Sequence, residues 1–230
     1  MSPERFSRIN TMLNNRQPDL TVCLDKVHKC NNIAAVIRTA DAIGIHEIHA
    51  VWPDLDMRVS GNTASGSQQW VKTVKHHHIN DAVSAFRHKD MQILATNFSD
   101  SAIDFREIDY TKPTVVLLGN ERDGVSPEGI ASADQHIIIP MQGMVQSLNV
   151  SVAAALIMYE AQRQRQAANM YGECKLDHYY CQTKLFEQGH PIYAKACKRK
   201  KLPYPAIDNT GQILADDAWW QAMRAPIAKA

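Results

Sequence analysis

Two stretches of this sequence are apolar at consecutive positions rather than at alternate ones: Thr114-Val115-Val116-Leu117-Leu118-Gly119 and His136-Ile137-Ile138-Ile139-Pro140. A strand with one wet face alternates, whereas a strand covered on both faces has no need to. Each run stops at Gly or Pro, passes through polar residues and enters a helix-like pattern. The same order recurs upstream. LTVCLDKV (20–27), EIHAVW (47–52), WVKTV (70–74) and MQILATN (91–97) read as strands. Residues 32–44, closed by Gly44, then 81–88 and 150–168 read as helices. Ser126-Pro127-Glu128 opens another, with a serine cap and proline at its first position. Strands alternating with helices predict an α/β domain with a mostly parallel sheet.

The expected organisation is an N-terminal helical arm at 1–18, broken by Gln17-Pro18-Asp19, the α/β domain at 19–168, and a helical extension at 169–230 rich in Tyr, Lys, His and Gln. The 230 residues are 45% apolar and 21% charged, as in a soluble globular protein. No apolar run is long enough to span a bilayer, and MSPERFSRINTML lacks the apolar stretch of a signal peptide. The five cysteines form no Cys-x-x-Cys pair and suit reduced thiols in a cytoplasm. The net charge of +1 hides two basic ends: Arg5, Arg8 and Arg16 near the start, and Lys195, Lys198, Arg199, Lys200 and Lys201 near the finish. A solvated surface explains such runs; two of them flanking a neutral middle also suit a polyanion partner.

Several ligand sites are excluded. GNERDGVS (119–126) has the glycine spacing of a phosphate-binding loop, but Val125 stands where the lysine must be. No Gly-x-Gly-x-x-Gly follows any strand, and no Gly-x-Ser-x-Gly elbow exists. His76-His77-His78 lacks the further ligands of a tetrahedral metal site and reads as exposed histidines at a strand end, so no metal is expected.

Three polar insertions interrupt the apolar framework. Asn31-Asn32 begin a helix that carries Arg38 among Ile33, Val36, Ile37 and Ala40. An arginine in apolar surroundings is costly without an anionic partner. A stem reaching the surface, with Asn32 as a simple cap, accounts for it equally well. Glu121 follows a buried strand, where it can cap a helix or pair with an arginine. Ser147-Leu148-Asn149 precede the last helix; Ser147 reads as its cap, leaving Asn149 in the first turn. Each is ordinary alone. Brought together by a sheet, they would form one polar cluster.

NNIAAVIRTADAIG, LLGNERDGVS and IIIPMQGMVQSLNVSVAAALIMYE, in this order and spacing, resemble the three motifs of the SpoU branch of the SPOUT methyltransferases. The likeness extends to NRQPDLTV at 15–22 and KRKKLPYP at 198–205, and runs closest to branch members that methylate guanosine 18 of tRNA. Cys30 and Asn31 stand where related sequences often have histidine or proline.

The resemblance implies a deep trefoil knot at the end of the α/β domain, formed by the loops after QILAT, VVLLG and HIIIP, a rare exception to unknotted chains. It implies a homodimer whose sites draw on both chains. It implies S-adenosyl-L-methionine (AdoMet) held at Thr96, Gly119, Ile139 and Leu148, and a methyl moved to a ribose 2′-hydroxyl in the tRNA D-loop. Asn32, Arg38, Glu121, Ser147 and Asn149 match the family's catalytic positions, with Arg38 as the base. Because arginine is nearly always protonated, Arg38 reads better as a clamp on ribose and phosphate, held by Glu121 and Asn149. The basic ends would then hold tRNA backbone. Alternatives are a ribosomal-RNA 2′-O-methyltransferase of the same branch, or an RNA-binding dimer without catalysis.

Overall fold

A computed structural model describes residues 1–52 and 66–226; the last four residues of the expected C-terminal extension lie outside this set. The chain divides into two compact units, one of residues 17–171 and one of residues 1–16 with 172–230.

The first helix, α1 (Pro3–Asn14), belongs to the unit made by the two ends. Residues 17–171 supply β1 (Leu20–Asp25), α2 (Cys30–Ile43), β2 (Glu47–Val51), β3 (Lys72–His76), α3 (Ile79–Arg87), β4 (Gln92–Thr96), β5 (Ile103–Asp104), β6 (Thr114–Gly119), α4 (Pro127–Ala131), β7 (Gln135–Ile138) and α5 (Val150–Ala167). Their seven strands form one sheet in the order β3-β2-β1-β6-β4-β7-β5, every pairing parallel. The expected parallel α/β sheet is therefore present.

The apolar run of β6 explains itself in this sheet. Val116 and Leu118 enter one core cluster with Ile33 and Ile37 of α2 and Ile157 of α5. Val115 and Leu117 enter a second, with Phe86 of α3 and Val125 before α4. Both faces are covered, so neither register position is polar. Each such fully buried side chain contributes about 1.5–3 kcal/mol. Gly44 ends α2 in the left-handed region at φ 88°, a conformation glycine adopts without Cβ strain.

Arg165 of α5 is fully buried and ties the helix to the starts of two strands. It donates to Asp19 Oδ1 at 2.6 Å, Gln17 Oε1 at 3.0 Å, and the carbonyls of Tyr110 and Lys112 at 2.9 and 3.0 Å.

Several sequence expectations need correction. The cap of α5 is Asn149, not Ser147: Asn149 Oδ1 accepts from the Ser151 amide at 2.9 Å. The cap position of α2 is Lys29, so Asn32 lies inside the first turn. His76 is half-buried rather than exposed, because its Nε2 lies 2.8 Å from Nδ1 of buried His49. β5 escapes pattern reading because it has only two residues.

The second unit holds α1, α6 (His178–Gly189), α7 (Pro191–Lys200), β8 (Ala206–Ile207), β9 (Ile213–Leu214) and α8 (Asp217–Arg224). Helices dominate as expected, but β8 and β9 add an antiparallel hairpin that two-residue strands could not announce. Asp208 Oδ1 shapes its turn by accepting from the Thr210 and Gln212 amides. Phe186, Tyr204 and Trp219 pack as rings beside it.

Candidate active site

The carboxyl ends of β4, β6 and β7 open on one side of the sheet, the usual place for a ligand in a parallel α/β layer. A cavity of about 860 Å³ lies there. Thr96, Gly119, Ile139 and Leu148, the four expected AdoMet positions, all line it, together with Glu121 and Ser147. Its volume falls in the range of small-molecule sites. Leu118, Ile137 and Ile157 supply apolar wall, and the strand ends supply backbone groups.

Gly119 has no room for a side chain. A Cβ there would lie 1.8 Å from the carbonyl carbon of Gly124, because residues 120–124 fold back on the strand end. The Gly124 amide donates to the Asn120 carbonyl at 3.0 Å, and Asn120 Oδ1 accepts from the Arg122 and Asp123 amides. Asp25, buried at the end of β1, anchors the far side of this loop by accepting from the Ser126 amide at 2.8 Å.

Beside the cavity runs a short polar chain. Asn32 Nδ2 donates to Glu121 Oε1 at 2.5 Å, and Asn149 Nδ2 donates to Asn32 Oδ1 at 3.2 Å. Lys29 Nζ stands 3.5 Å from the same Glu121 oxygen. The Glu121 carboxyl is held below its ordinary range, first by its own backbone amide and then by Asn32 and Lys29. Asn32 is 8% exposed, so its amide is presented in one orientation. The three expected polar insertions thus meet, but through Asn32 rather than Arg38.

Arg38 departs from expectation. It lies six residues beyond Asn32, about 9 Å along the helix and on another face. It is exposed and makes no hydrogen bond or ion pair among the described residues; neither Glu121 nor Asn149 holds it. The reason is helical period: Arg38 shares its face with exposed Asn31, not with buried Asn32. Ser147 is also exposed and reaches neither Asn32 nor Glu121.

The basic ends sort themselves. Arg16 is 1% exposed, its Nε 3.0 Å from Met12 Sδ, so it is not the surface cation expected from charge alone. Lys200 donates to the carbonyls of Ala222, Met223 and Ala225 and so caps the end of α8. Arg5 donates twice to the Gln188 carbonyl at the end of α6, and Lys198 pairs with Glu187 at 2.8 Å. Arg8, Lys195, Arg199 and Lys201 are exposed without such partners among the described residues. Sequence reading missed Lys29 and Asp25. Asp25 carried a signal, as the one carboxylate ending a fully buried strand; Lys29 carried none.

The family model described as the SpoU rRNA Methylase family matches residues 19–159, and its C-terminal companion matches residues 163–216. The chain belongs to the SpoU methylase family. Over 227 residues, 98% of this chain and 99% of the relative, it is 56% identical to the tRNA (guanosine(18)-2′-O)-methyltransferase of Escherichia coli strain K12. It superposes on the crystal structure of the A. aeolicus TrmH/SpoU tRNA modifying enzyme with a TM-score of 0.76 at 39% identity, covering 82% of this chain and 96% of that one. It also resembles the SpoU methyltransferase AviRb of Streptomyces viridochromogenes, solved in complex with the cofactor AdoMet (TM-score 0.58, 31% identity, 66% of this chain and 60% of that one).

Proposed function

We propose that this protein transfers a methyl group from AdoMet to the ribose 2′-hydroxyl of guanosine 18 in the tRNA D-loop. One observation carries the reading. In a chain similar over its whole length to an enzyme of that name, the expected cofactor positions and Glu121 line one cavity, and Glu121 is joined through Asn32 to Asn149.

The residues present fit AdoMet. The apolar wall suits an adenine, and Gly119 leaves its strand end bare of side chain. Thr96, Gly119, Ile139 and Leu148 would hold it, largely through backbone. When bound, it supplies a methyl on a sulfonium, already a good leaving group. The protein's task is therefore alignment of the hydroxyl, and positioning is worth about 7–11 kcal/mol. Glu121 and Asn149 fix the Asn32 amide, which orients the hydroxyl or its neighbouring phosphate. Arg38 clamps ribose and phosphate and aids loss of the hydroxyl proton. Ser147, exposed at the cavity rim, meets the substrate side.

The reading includes a homodimer. Val152, Leu156 and Tyr159 are 47%, 43% and 52% exposed and share one face of α5, an apolar stripe suited to a second copy. Arg38, without a partner among the described residues, fits a site completed across that dimer. The reading also includes the trefoil knot, with residues 139–149 as its last crossing. tRNA backbone is held by Arg8, Lys195, Arg199 and Lys201. Among the described residues no helix is long and apolar enough to cross a membrane, and we assign the protein to the cytoplasm, where its substrate is.

Labelled AdoMet supplied with tRNA transcripts and ribosomal-RNA fragments, followed by mapping of the modified nucleotide, tests the function. Label at guanosine 18 is expected. Label confined to ribosomal RNA overturns the substrate, and absence of AdoMet binding by calorimetry restores a non-catalytic RNA-binding dimer.

A further inference from the structure

Of the five cysteines, Cys23 and Cys197 are fully buried, Cys30 is half-buried at the start of α2, and Cys174 and Cys181 meet, Sγ to Sγ, at 3.3 Å. Cys174 is exposed on the segment leading into α6, and Cys181 lies in the first turn of that helix. Two sulfurs in contact are either an incomplete metal site or a dithiol. Among the described residues no group of three or more His, Cys, Asp or Glu is placed to hold a metal ion, and two thiolates alone leave zinc short of its four ligands.

We propose that Cys174 and Cys181 are a modification site that closes to a reversible disulfide, with a low-molecular-weight disulfide of the glutathione type as oxidant. Exposure makes Cys174 the first to react, and burial pushes the Cys181 thiol up to about 12. The deprotonated Cys174 sulfur attacks one sulfur of the glutathione disulfide. A mixed disulfide forms, the glutathione S–S bond breaks, and the departing thiolate takes up a proton. Cys181 then gives up its proton and attacks the Cys174 sulfur, expelling the second glutathione. Two protein thiols are oxidised and one glutathione disulfide is reduced.

The bond would secure a segment already tied at its other end. The Gly172 amide donates to Asn15 Oδ1 at 3.0 Å, at the close of α1, and α1 packs on α6. Oxidation therefore fixes the segment between Gly172 and α6 against the first turn of α6, in the unit that carries the exposed basic residues.

The test uses full-length protein equilibrated across ratios of reduced to oxidised glutathione, quenched in acid, denatured, alkylated and mapped by mass spectrometry. A peptide linking Cys174 to Cys181 is expected to replace the two alkylated peptides, reversibly with dithiothreitol, while Cys23, Cys30 and Cys197 remain alkylated. The variant Cys181→Ser is expected to trap one glutathione on Cys174, and only the wild-type chain melts at higher temperature when oxidised. Absence of the linked peptide in fully oxidised glutathione overturns the proposal. So does a wild-type chain that stops at the mixed disulfide or links between molecules.

Discussion

Asn149 and Asn32, 117 residues apart in the chain, are joined by a hydrogen bond of 3.2 Å from Nδ2 to Oδ1. The same Asn149 caps α5 through its other amide atom, Oδ1. One side chain therefore starts the helix and orients the polar chain beside the cavity, and the two duties are separable. Asn149→Ser keeps a good cap but loses the Nδ2 that reaches Asn32, because a serine hydroxyl sits one bond closer to the backbone. It is expected to leave thermal unfolding nearly unchanged while lowering the methylation rate roughly 10–100-fold, as loss of alignment does. Asn149→Ala also loses the cap, about 1 kcal/mol. Equal rates for Asn149→Ser and the wild-type chain would show that Asn32 is oriented by Glu121 alone.

Gly119 ends β6 and Gly124 lies in the loop that follows it, and they fail differently. A Cβ on Gly119 meets backbone at 1.8 Å, whereas one on Gly124 meets nothing within 4 Å and only strains φ 69°. Gly119→Ala must move the 120–124 segment and the cavity wall with it, and is expected to weaken AdoMet binding at least tenfold by calorimetry. Gly124→Ala is expected to cost about 1–2 kcal/mol of stability while binding AdoMet as the wild-type chain does. Equal affinities for the two variants would remove the cavity from the cofactor reading.

The sheet was legible because its strands say in one dimension what they do in three. Val115 to Leu118 are all apolar because successive side chains serve opposite clusters. The site was legible only as a set of residue types. Ser147 and Asn149 are both good caps, and the chain takes up helical geometry only at Val150, which makes Asn149 the cap. Arg16 and Arg199 look alike in sequence, yet one is buried and the other exposed. Charge does not report burial. Arg38 was placed by its family motif, whereas its exposure follows from helical period, which sets it on the face of Asn31.

Glu121 gives a dependence on pH with a definite sign. Its folded-state carboxyl is held below the ordinary value by its own amide, Asn32 and Lys29. The stability linked to it is present above its unfolded value, about 4.3, and is lost as pH falls through the lower folded value. Between pH 6 and 9 the group is expected to remain ionised. Glu121→Gln should therefore lower the methylation rate by a constant factor over that range, as read from initial rates. A Glu121→Gln profile that lost an acidic limb present in the wild-type chain would assign Glu121 a titrating role instead.

Arg165 is fully buried, and its removal leaves several buried acceptors without a donor. Its partners at Asp19, Gln17, Tyr110 and Lys112 were all built around one guanidinium. Breaking a buried pair by deleting one member costs about 3–5 kcal/mol. Arg165→Met is expected to lose about that much in denaturant unfolding. Arg165→Lys should recover only a minor part, since an ammonium cannot reach the separated acceptors. Full recovery by lysine would reduce the network to its Asp19 contact.

The basic ends carry opposite expectations for residues that look the same in sequence. Arg199 is exposed and without a partner among the described residues, whereas Arg16 is buried and Lys200 is spent on the carbonyls ending α8. A cation held at a phosphate releases counterions, so its loss reduces the dependence of log K on log salt by roughly one unit. Arg199→Gln, Lys195→Gln and Lys201→Gln are each expected to flatten tRNA binding against salt by that amount while AdoMet affinity stays unchanged. Arg16→Gln and Lys200→Gln are expected to lower the unfolding temperature and leave the slope intact. Filter-binding titrations from low to moderate salt, paired with thermal scans, read both effects. A flattened slope for Arg16→Gln with an unchanged unfolding temperature would mean that Arg16 leaves its buried place when tRNA binds.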